Sequence, residues 1–101
     1  MTERQVEQRQ HALCRSGNVC AVCGKSIYEY GTPQYAHKLS NSKMNRQKYG
    51  SFIVDHTLNG EYTCSLDCNS ALLIDNNPRA ILFLLADIVT YELKRFAVDN
   101  N

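Results

Sequence analysis

The sequence predicts a small α+β domain, with a short sheet between a helix at each end of the chain. Three features predict it. Helix formers fill residues 2–15, short β-prone segments lie between turn residues in the middle, and a long apolar stretch at 78–96 follows Asn77. With only 101 residues the chain is one domain. We divide it into an N-terminal helix at 1–17, a core at 18–75 and a C-terminal helix at 77–98.

The two terminal helices are predicted from the residues at their ends. Ser16-Gly17-Asn18 is expected to end the first helix near residue 15. Asn77 is a typical N-cap and Pro78 suits the first helical position, so the last helix is expected to run to about Phe96. Residues 80–89 are almost all apolar, which predicts burial in the domain or contact with another chain. A homodimer or a protein partner through this helix is therefore an open alternative.

The central part of the chain alternates β-prone segments with turns. Extended segments are predicted at residues 27–30, 34–39, 52–56 and 61–63, with Asn59-Gly60 as a turn before the last of them. A polar loop with a helical turn near 45–48 is predicted at 40–51, and a helix at 66–74.

The five cysteines carry the strongest chemical signal. Four form two closely spaced pairs about forty residues apart: Cys20, Cys23, Cys64 and Cys68. Such pairs can close a tetrahedral site of four thiolates around a structural zinc ion. Two disulfides or a redox pair are the alternatives, but no signal peptide is recognisable and the cytoplasm is the expected compartment, where thiols stay reduced. Cys14 lies on the polar helix and is expected to be a spare thiol.

Charge is distributed unevenly, although the net charge is only +1. Residues 30–54 contain no acidic residue, and four basic side chains fall there: Lys38, Lys43, Arg46 and Lys48. This stretch suits contacts with nucleic-acid phosphates, and a solvated loop is the plainer alternative. No apolar run is long enough to span a bilayer, so no membrane contact is expected.

Polar residues between and beside the cysteine pairs suggest a family. They are Tyr35-Ala36-His37, Asp55-His56, Asn59 five residues before Cys64, and Asn69 directly after Cys68. In this order and frame, residues 20–74 resemble the HNH nucleases, also called ββα-metal or His-Me finger nucleases, in their zinc-stapled, small phage-type form. The resemblance implies a ββα core held by zinc, a nuclease activity on DNA and, for a phage protein, the host cytoplasm.

The resemblance also implies roles for individual residues. His37 would be the general base that activates water, and Asn59 would fix the hairpin by bonding to the backbone. Asn69 would be a ligand of one catalytic divalent ion such as Mg²⁺, Mn²⁺ or Ni²⁺. The four basic residues would hold the DNA backbone.

Ala36 departs from the family pattern, which commonly has Asp, His or Glu as a metal ligand before the base. Asp55 or His56 would have to complete the ion site, or catalysis has been lost and the chain is a zinc-stapled module that binds nucleic acid or protein. A rival register, similar to the Asp-His motif of the family's Holliday-junction-resolving members, makes Asp55 the ligand and His56 the base. We favour His37, because few residues separate His56 from Cys64.

Overall fold

The computed structural model describes residues 1–99. Its first helix, α1, spans Glu3–Ser16, close to the predicted bounds. Thr2 caps it: the threonine hydroxyl accepts from the Gln5 backbone N–H, and the Gln5 side chain accepts from the Thr2 N–H. Gly17 ends the helix in the left-handed conformation, with a φ of 58°. The helix packs along the second strand of the sheet.

A two-stranded antiparallel sheet forms the centre of the domain. Strand β1 is Gln34–His37 and strand β2 is Gly60–Thr63, so the segments predicted at 34–39 and 61–63 are confirmed. The register pairs His37 with Gly60. A helix follows directly after β2 and packs against both strands. The observed order is therefore strand, long connection, strand and helix, and the predicted α+β class is confirmed.

The long connection between the strands is helical. Helix α2 spans Lys43–Tyr49, where one helical turn is predicted. Helix α3, Ser51–Val54, occupies most of the segment predicted as a strand at 52–56, so that prediction is wrong. Its β-branched residues favour a strand, but the Asp55 N–H bonds to the Ser51 carbonyl at 2.9 Å, and Val54 is buried inside the domain. Tertiary packing overrides local preference here.

The extended segment predicted at 27–30 is also wrong. The chain turns there, with the Glu29 N–H bonded to the Ser26 carbonyl and the Gly31 N–H bonded to the Tyr28 carbonyl, both at 3.1 Å. No neighbouring strand is available among residues 1–99 beyond a single bridge between Val19 and Ser26. Ile27 alone is buried and anchors the turn.

The C-terminal part of the chain contains two helices. Helix α4 spans Leu66–Ala71, three residues shorter than predicted, and α5 spans Pro78–Asp99. The Asn77 side chain accepts from the Ala80 N–H at 3.1 Å, which confirms the predicted cap. One face of α5 joins the main apolar core, which is made of Leu39, Ile81, Leu84 and Ile88.

The opposite face of α5 is apolar and exposed. Leu82, Phe83, Val89 and Leu93 are each more than half exposed. A partner chain on this face stays a prediction.

No helix in the described part of the chain is both long and apolar enough to cross a membrane.

Candidate metal centre and histidine cavity

The four paired cysteines come together at one point. Their sulfur atoms all lie within 4.8 Å of one another. The first pair lies in the turn after α1, and the second lies at the end of β2 and on α4. These four cysteines can therefore bind a metal ion such as zinc, and they join segments distant in sequence. Cys14 is exposed and lies outside the cluster.

The spacing of the sulfur atoms fits zinc. A tetrahedron with Zn–S bonds of about 2.3 Å separates its sulfurs by about 3.8 Å. The Sγ atoms of Cys23 and Cys64 are 3.4 Å apart, and those of Cys64 and Cys68 are 3.9 Å apart. All four cysteines are free thiols, so neither pair forms a disulfide.

Local turns hold these thiols in place. The Cys20 N–H bonds to the Lys25 carbonyl at 2.7 Å, and Gly24 closes the turn with a φ of 78° that favours glycine. On the other side, the Ser65 hydroxyl caps α4 by accepting from the Cys68 N–H at 3.2 Å. The serine cap explains how a pair with three intervening residues presents both sulfurs.

The electrostatics of the cluster differ between its two halves. Burial on its own would raise the pKa of Cys20, but N–H donors from the backbone, chiefly of Cys23 and Val22, lower it to about 6. Burial raises the pKa of Cys64 to about 12. A bound cation would stabilise all four as thiolates, because its charge offsets their burial and mutual repulsion.

His37 lies at the end of β1, half-buried, on the wall of a cavity. The cavity has a volume of about 230 Å³ and is lined by Met1, Gln5, Gln8, Arg9, His37 and Asn41. Neither imidazole nitrogen has a hydrogen-bond partner among residues 1–99. Burial, followed by the positive charge of Arg9, lowers the pKa of His37 below its ordinary value. The ring is therefore neutral near pH 7 and able to accept a proton.

Asn59 fixes the strand-to-strand connection. Its side chain is fully buried, accepts from the Leu39 N–H at 2.8 Å and donates to the carbonyls of Leu39 and Val54 at 3.1 and 2.9 Å. All its hydrogen-bonding groups are thus used within the hairpin, next to the end of β1. Asn69, on α4, donates to the Tyr35 carbonyl at 3.2 Å and contacts β1 directly.

Asp55 and Arg46 pair with each other. The Arg46 guanidinium donates to both carboxylate oxygens, at 2.6 and 3.1 Å. Burial would raise the pKa of Asp55, but the bonds and charge of Arg46 lower it below its usual value. The predicted metal ligand and one predicted DNA contact therefore neutralise each other.

Both ring nitrogens of His56 form hydrogen bonds within the domain. It is only 5% exposed. Its Nδ1 accepts from the Leu58 N–H at 3.1 Å, and its Nε2 faces a Glu92 carboxylate oxygen at 2.8 Å. Since Nδ1 accepts, the proton lies on Nε2 and is donated to Glu92. A histidine held in this way has no nitrogen left for a water molecule.

The other predicted DNA contacts differ in whether their charges are paired. The Lys38 ammonium lies 3.7 Å from a Glu61 carboxylate oxygen. Lys43 and Lys48 are exposed on α2, and Lys48 lies over the Tyr49 ring. Of the four predicted contacts, these two lysines form no ion pair with any residue from 1 to 99.

The residues near His37 do not fit a catalytic divalent ion. Ala36 is buried and offers no ligand, and Asp55 is occupied by Arg46. Within residues 1–99, the cysteine cluster is the one group of three or more His, Cys, Asp or Glu side chains close enough together to hold an ion. The Asn69 side-chain oxygen is a single neutral ligand, which on its own would bind a divalent ion weakly.

Arg9 was missed by the sequence analysis. It projects from α1, and its guanidinium carbon lies 4.5 Å from the centre of the Tyr35 ring. Gln8, next to it, is buried and donates to the carbonyls of Val54 and His56, tying α1 to the hairpin connection. In a helix of polar residues neither stands out, and only the packing of α1 against the hairpin reveals them.

Comparison of the chain with models of known families, with curated proteins and with solved structures found no match. The likeness to HNH nucleases thus depends on the residues themselves.

Proposed function

We propose that this protein is a small nuclease of the HNH kind that hydrolyses phosphodiester bonds in DNA, with His37 as general base. The observation that carries the proposal is the state of His37. It lies at the end of the first of two paired strands, on a cavity wall, with both nitrogens unpartnered among residues 1–99. A histidine kept neutral and free beside an opening suits proton abstraction from water.

In the proposed reaction, a His37 nitrogen accepts a proton from a water molecule. The water oxygen attacks phosphorus, a new P–O bond forms, and the bond to the leaving oxygen breaks. The leaving oxygen takes a proton from solvent. Asn59 serves as a positioning residue, because its three hydrogen bonds hold the segment on which the base lies.

Zinc at the four cysteines has a structural role in this proposal. Four thiolates fill its coordination shell, so the ion would not activate water. It would instead hold α4 and the turn after α1 against the sheet. Lys43 and Lys48 would supply counterion-releasing contacts with the DNA backbone, since their charges are exposed.

A second candidate function is favoured by Ala36. This buried alanine lies where the resembled family commonly has a metal ligand. The chain would then be a catalytically impaired zinc module that binds nucleic acid or protein through the same surface.

Plasmid cleavage by zinc-loaded protein separates the two functions. We expect the wild type to nick supercoiled DNA, His37→Ala to lose nicking, and His56→Ala to keep it in whatever fraction stays folded. Each protein is assayed alone and with Mg²⁺, Mn²⁺ or Ni²⁺, with zinc content measured beside it. Loss of nicking only in His56→Ala would instead favour His56 as the base and Asp55 as the metal ligand. Binding without nicking under any condition would favour the module.

A further inference from the structure

We propose that Arg9 and His37 form a phosphate-binding site, in which the Arg9 guanidinium supplies the positive charge that a divalent cation would otherwise supply. The inference rests on the proposed function and deepens it. It names the group that holds the scissile phosphate and the source of its charge.

The first observation is the composition of the cavity. Its lining contains one guanidinium, one imidazole and three side-chain amides, and no carboxylate among the described residues. Asn41 accepts from Arg46 through its side-chain oxygen at 2.7 Å, which leaves its NH₂ group free to donate. The Gln8 amide already donates to backbone carbonyls, so the donors left for a ligand are those of Arg9 and Asn41, and no acidic group of the lining opposes an anion.

The second observation is that Arg9 is packed in place while its N–H donors have no partner among residues 1–99. It is half-buried and stacked on the Tyr35 ring, yet it forms no hydrogen bond or ion pair with any residue from 1 to 99. A guanidinium carries five N–H donors in a planar fork that matches phosphate oxygens. Contact with the Tyr35 ring holds the guanidinium in place without using those donors, so they remain available to a ligand.

The third observation is that Tyr35 links Arg9 to the base. The Tyr35 and His37 rings meet edge to face, with their centres 5.1 Å apart. Tyr35 is in turn held by the Tyr62 ring, at 5.2 Å, and by the close approach of Gly60. The Tyr35 ring therefore sets the position of both the guanidinium and the imidazole. The proposed site needs this arrangement, because the phosphate would bind to Arg9 while His37 activates the water that attacks it.

The fourth observation concerns charge. Near His37, the Arg46 and Asp55 charges cancel in their ion pair, so Arg9 supplies the net positive charge. That charge also favours the neutral imidazole. The same guanidinium thus attracts the phosphate and keeps the base unprotonated.

The test begins with binding. Histidine ring signals of zinc-loaded protein are followed by NMR during titration with inorganic phosphate and, separately, a short single-stranded oligonucleotide. We expect both to shift the His37 signals, the oligonucleotide binding more tightly. Arg9→Gln should weaken both by about tenfold or more. Arg4→Gln is the matched control, since Arg4 lies on the same helix over Phe52, outside this cavity, and should change affinity by less than about twofold.

Unchanged affinity in Arg9→Gln would overturn the inference. Arg9→Lys is a second variant in case Arg9→Gln fails to fold. It keeps the positive charge but loses the planar guanidinium, so an intermediate affinity at full zinc content supports the site. Phosphate binding without oligonucleotide binding would also overturn it, because the ligand would then be a free anion and not a phosphodiester.

Cleavage separates this inference from the proposed function. Zinc-loaded wild type and Arg4→Gln should nick plasmid in buffer stripped of other divalent ions, and Arg9→Gln should not. Nicking that needs added Mg²⁺ or Mn²⁺, and is equally fast in Arg9→Gln, would overturn the inference and leave the nuclease intact. Arg9-dependent binding of the oligonucleotide with no nicking would overturn the nuclease and support the phosphate site.

Discussion

His37 and His56 lie in very different surroundings. His37 borders a cavity with no partner on either nitrogen among residues 1–99, whereas His56 is bonded to Leu58 and Glu92. A general base needs a lone pair that reaches water, and a structural histidine needs none. The contrast is the main reason to propose His37, and not His56, as the general base.

The two histidines should differ in their effect on stability. His56→Ala leaves the Leu58 N–H and the Glu92 carboxylate without a partner, so we expect a loss of about 2–4 kcal/mol in the free energy of unfolding. His37→Ala removes no hydrogen bond and should cost less than about 1 kcal/mol. Urea unfolding of zinc-loaded proteins measures both. Equal losses would contradict the assignment.

The pH dependence of nicking should report the neutral form of His37. Burial and Arg9 lower its pKa, with Asp55 and Arg46 as the other charged groups that act on it. The active, neutral form is therefore lost only when pH falls through a value below the ordinary histidine pKa of about 6.5. Initial nicking rates between pH 5 and about 8 measure the midpoint. A midpoint above about 6.5 would contradict the described environment.

Sequence patterns predicted some site residues and not others, for a physical reason. The four paired cysteines were predicted because their fixed spacing is enough to identify a metal site, whereas the backbone-bonding role of Asn59 was implied by the family resemblance. Arg9 was not predicted, because an arginine in a polar helix usually points to solvent. Its stacking on Tyr35 depends on how α1 packs on the sheet, which no local pattern encodes.

The elements that the sequence predicted well are those with explicit end signals. Helix α1 has Thr2 and Gly17 at its ends, and α5 begins at Asn77-Pro78. Residues 52–56 lack such signals, and their β-branched side chains indicated a strand. The helix forms instead because the connection must bury Val54 and direct its carbonyl to Gln8 and Asn59.

The pairing of β1 and β2 should depend on Gly60. A methyl group there would overlap the Tyr35 hydroxyl and ring carbons, which are packed between Arg9, His37 and Tyr62. We expect Gly60→Ala to lower the free energy of unfolding by about 2–4 kcal/mol and to reduce nicking, because Tyr35 must move. Thermal unfolding measures the first effect.

Tyr35→Phe is the control for that change. The Tyr35 hydroxyl is buried and has no hydrogen-bond partner among the described residues, and burial raises its pKa. Its removal should be neutral or stabilise by up to about 1 kcal/mol. A large loss in Tyr35→Phe would show that the hydroxyl has a partner, and the account of this packing would be wrong.

A metal ion bound by the four clustered cysteines would compensate for the small core of the whole domain. The main core cluster contains four buried residues, while Leu82, Phe83 and Leu93 on α5 remain exposed. A chain of this size often needs a metal or a partner to fold stably. The cysteine cluster joins the turn after α1 to β2 and α4, so its loss should affect the entire domain.

Removal of zinc should therefore unfold the protein. We expect one zinc per chain, release of the metal by strong chelators with loss of cooperative thermal unfolding, and the same behaviour in Cys64→Ser. Cys14→Ser should retain both the metal and the stability, because Cys14 lies outside the cluster. Metal analysis with circular dichroism tests this. A folded, metal-free Cys64→Ser protein would contradict the structural role.

Phosphodiester cleavage by this protein should depend on His37. The most direct measurement is the initial rate of plasmid nicking by wild type and His37→Ala at equal zinc content and the same pH. We expect nicking by the wild type and a loss of about a hundredfold or more in the variant. Equal rates in the two proteins, or no nicking by the wild type, would contradict it.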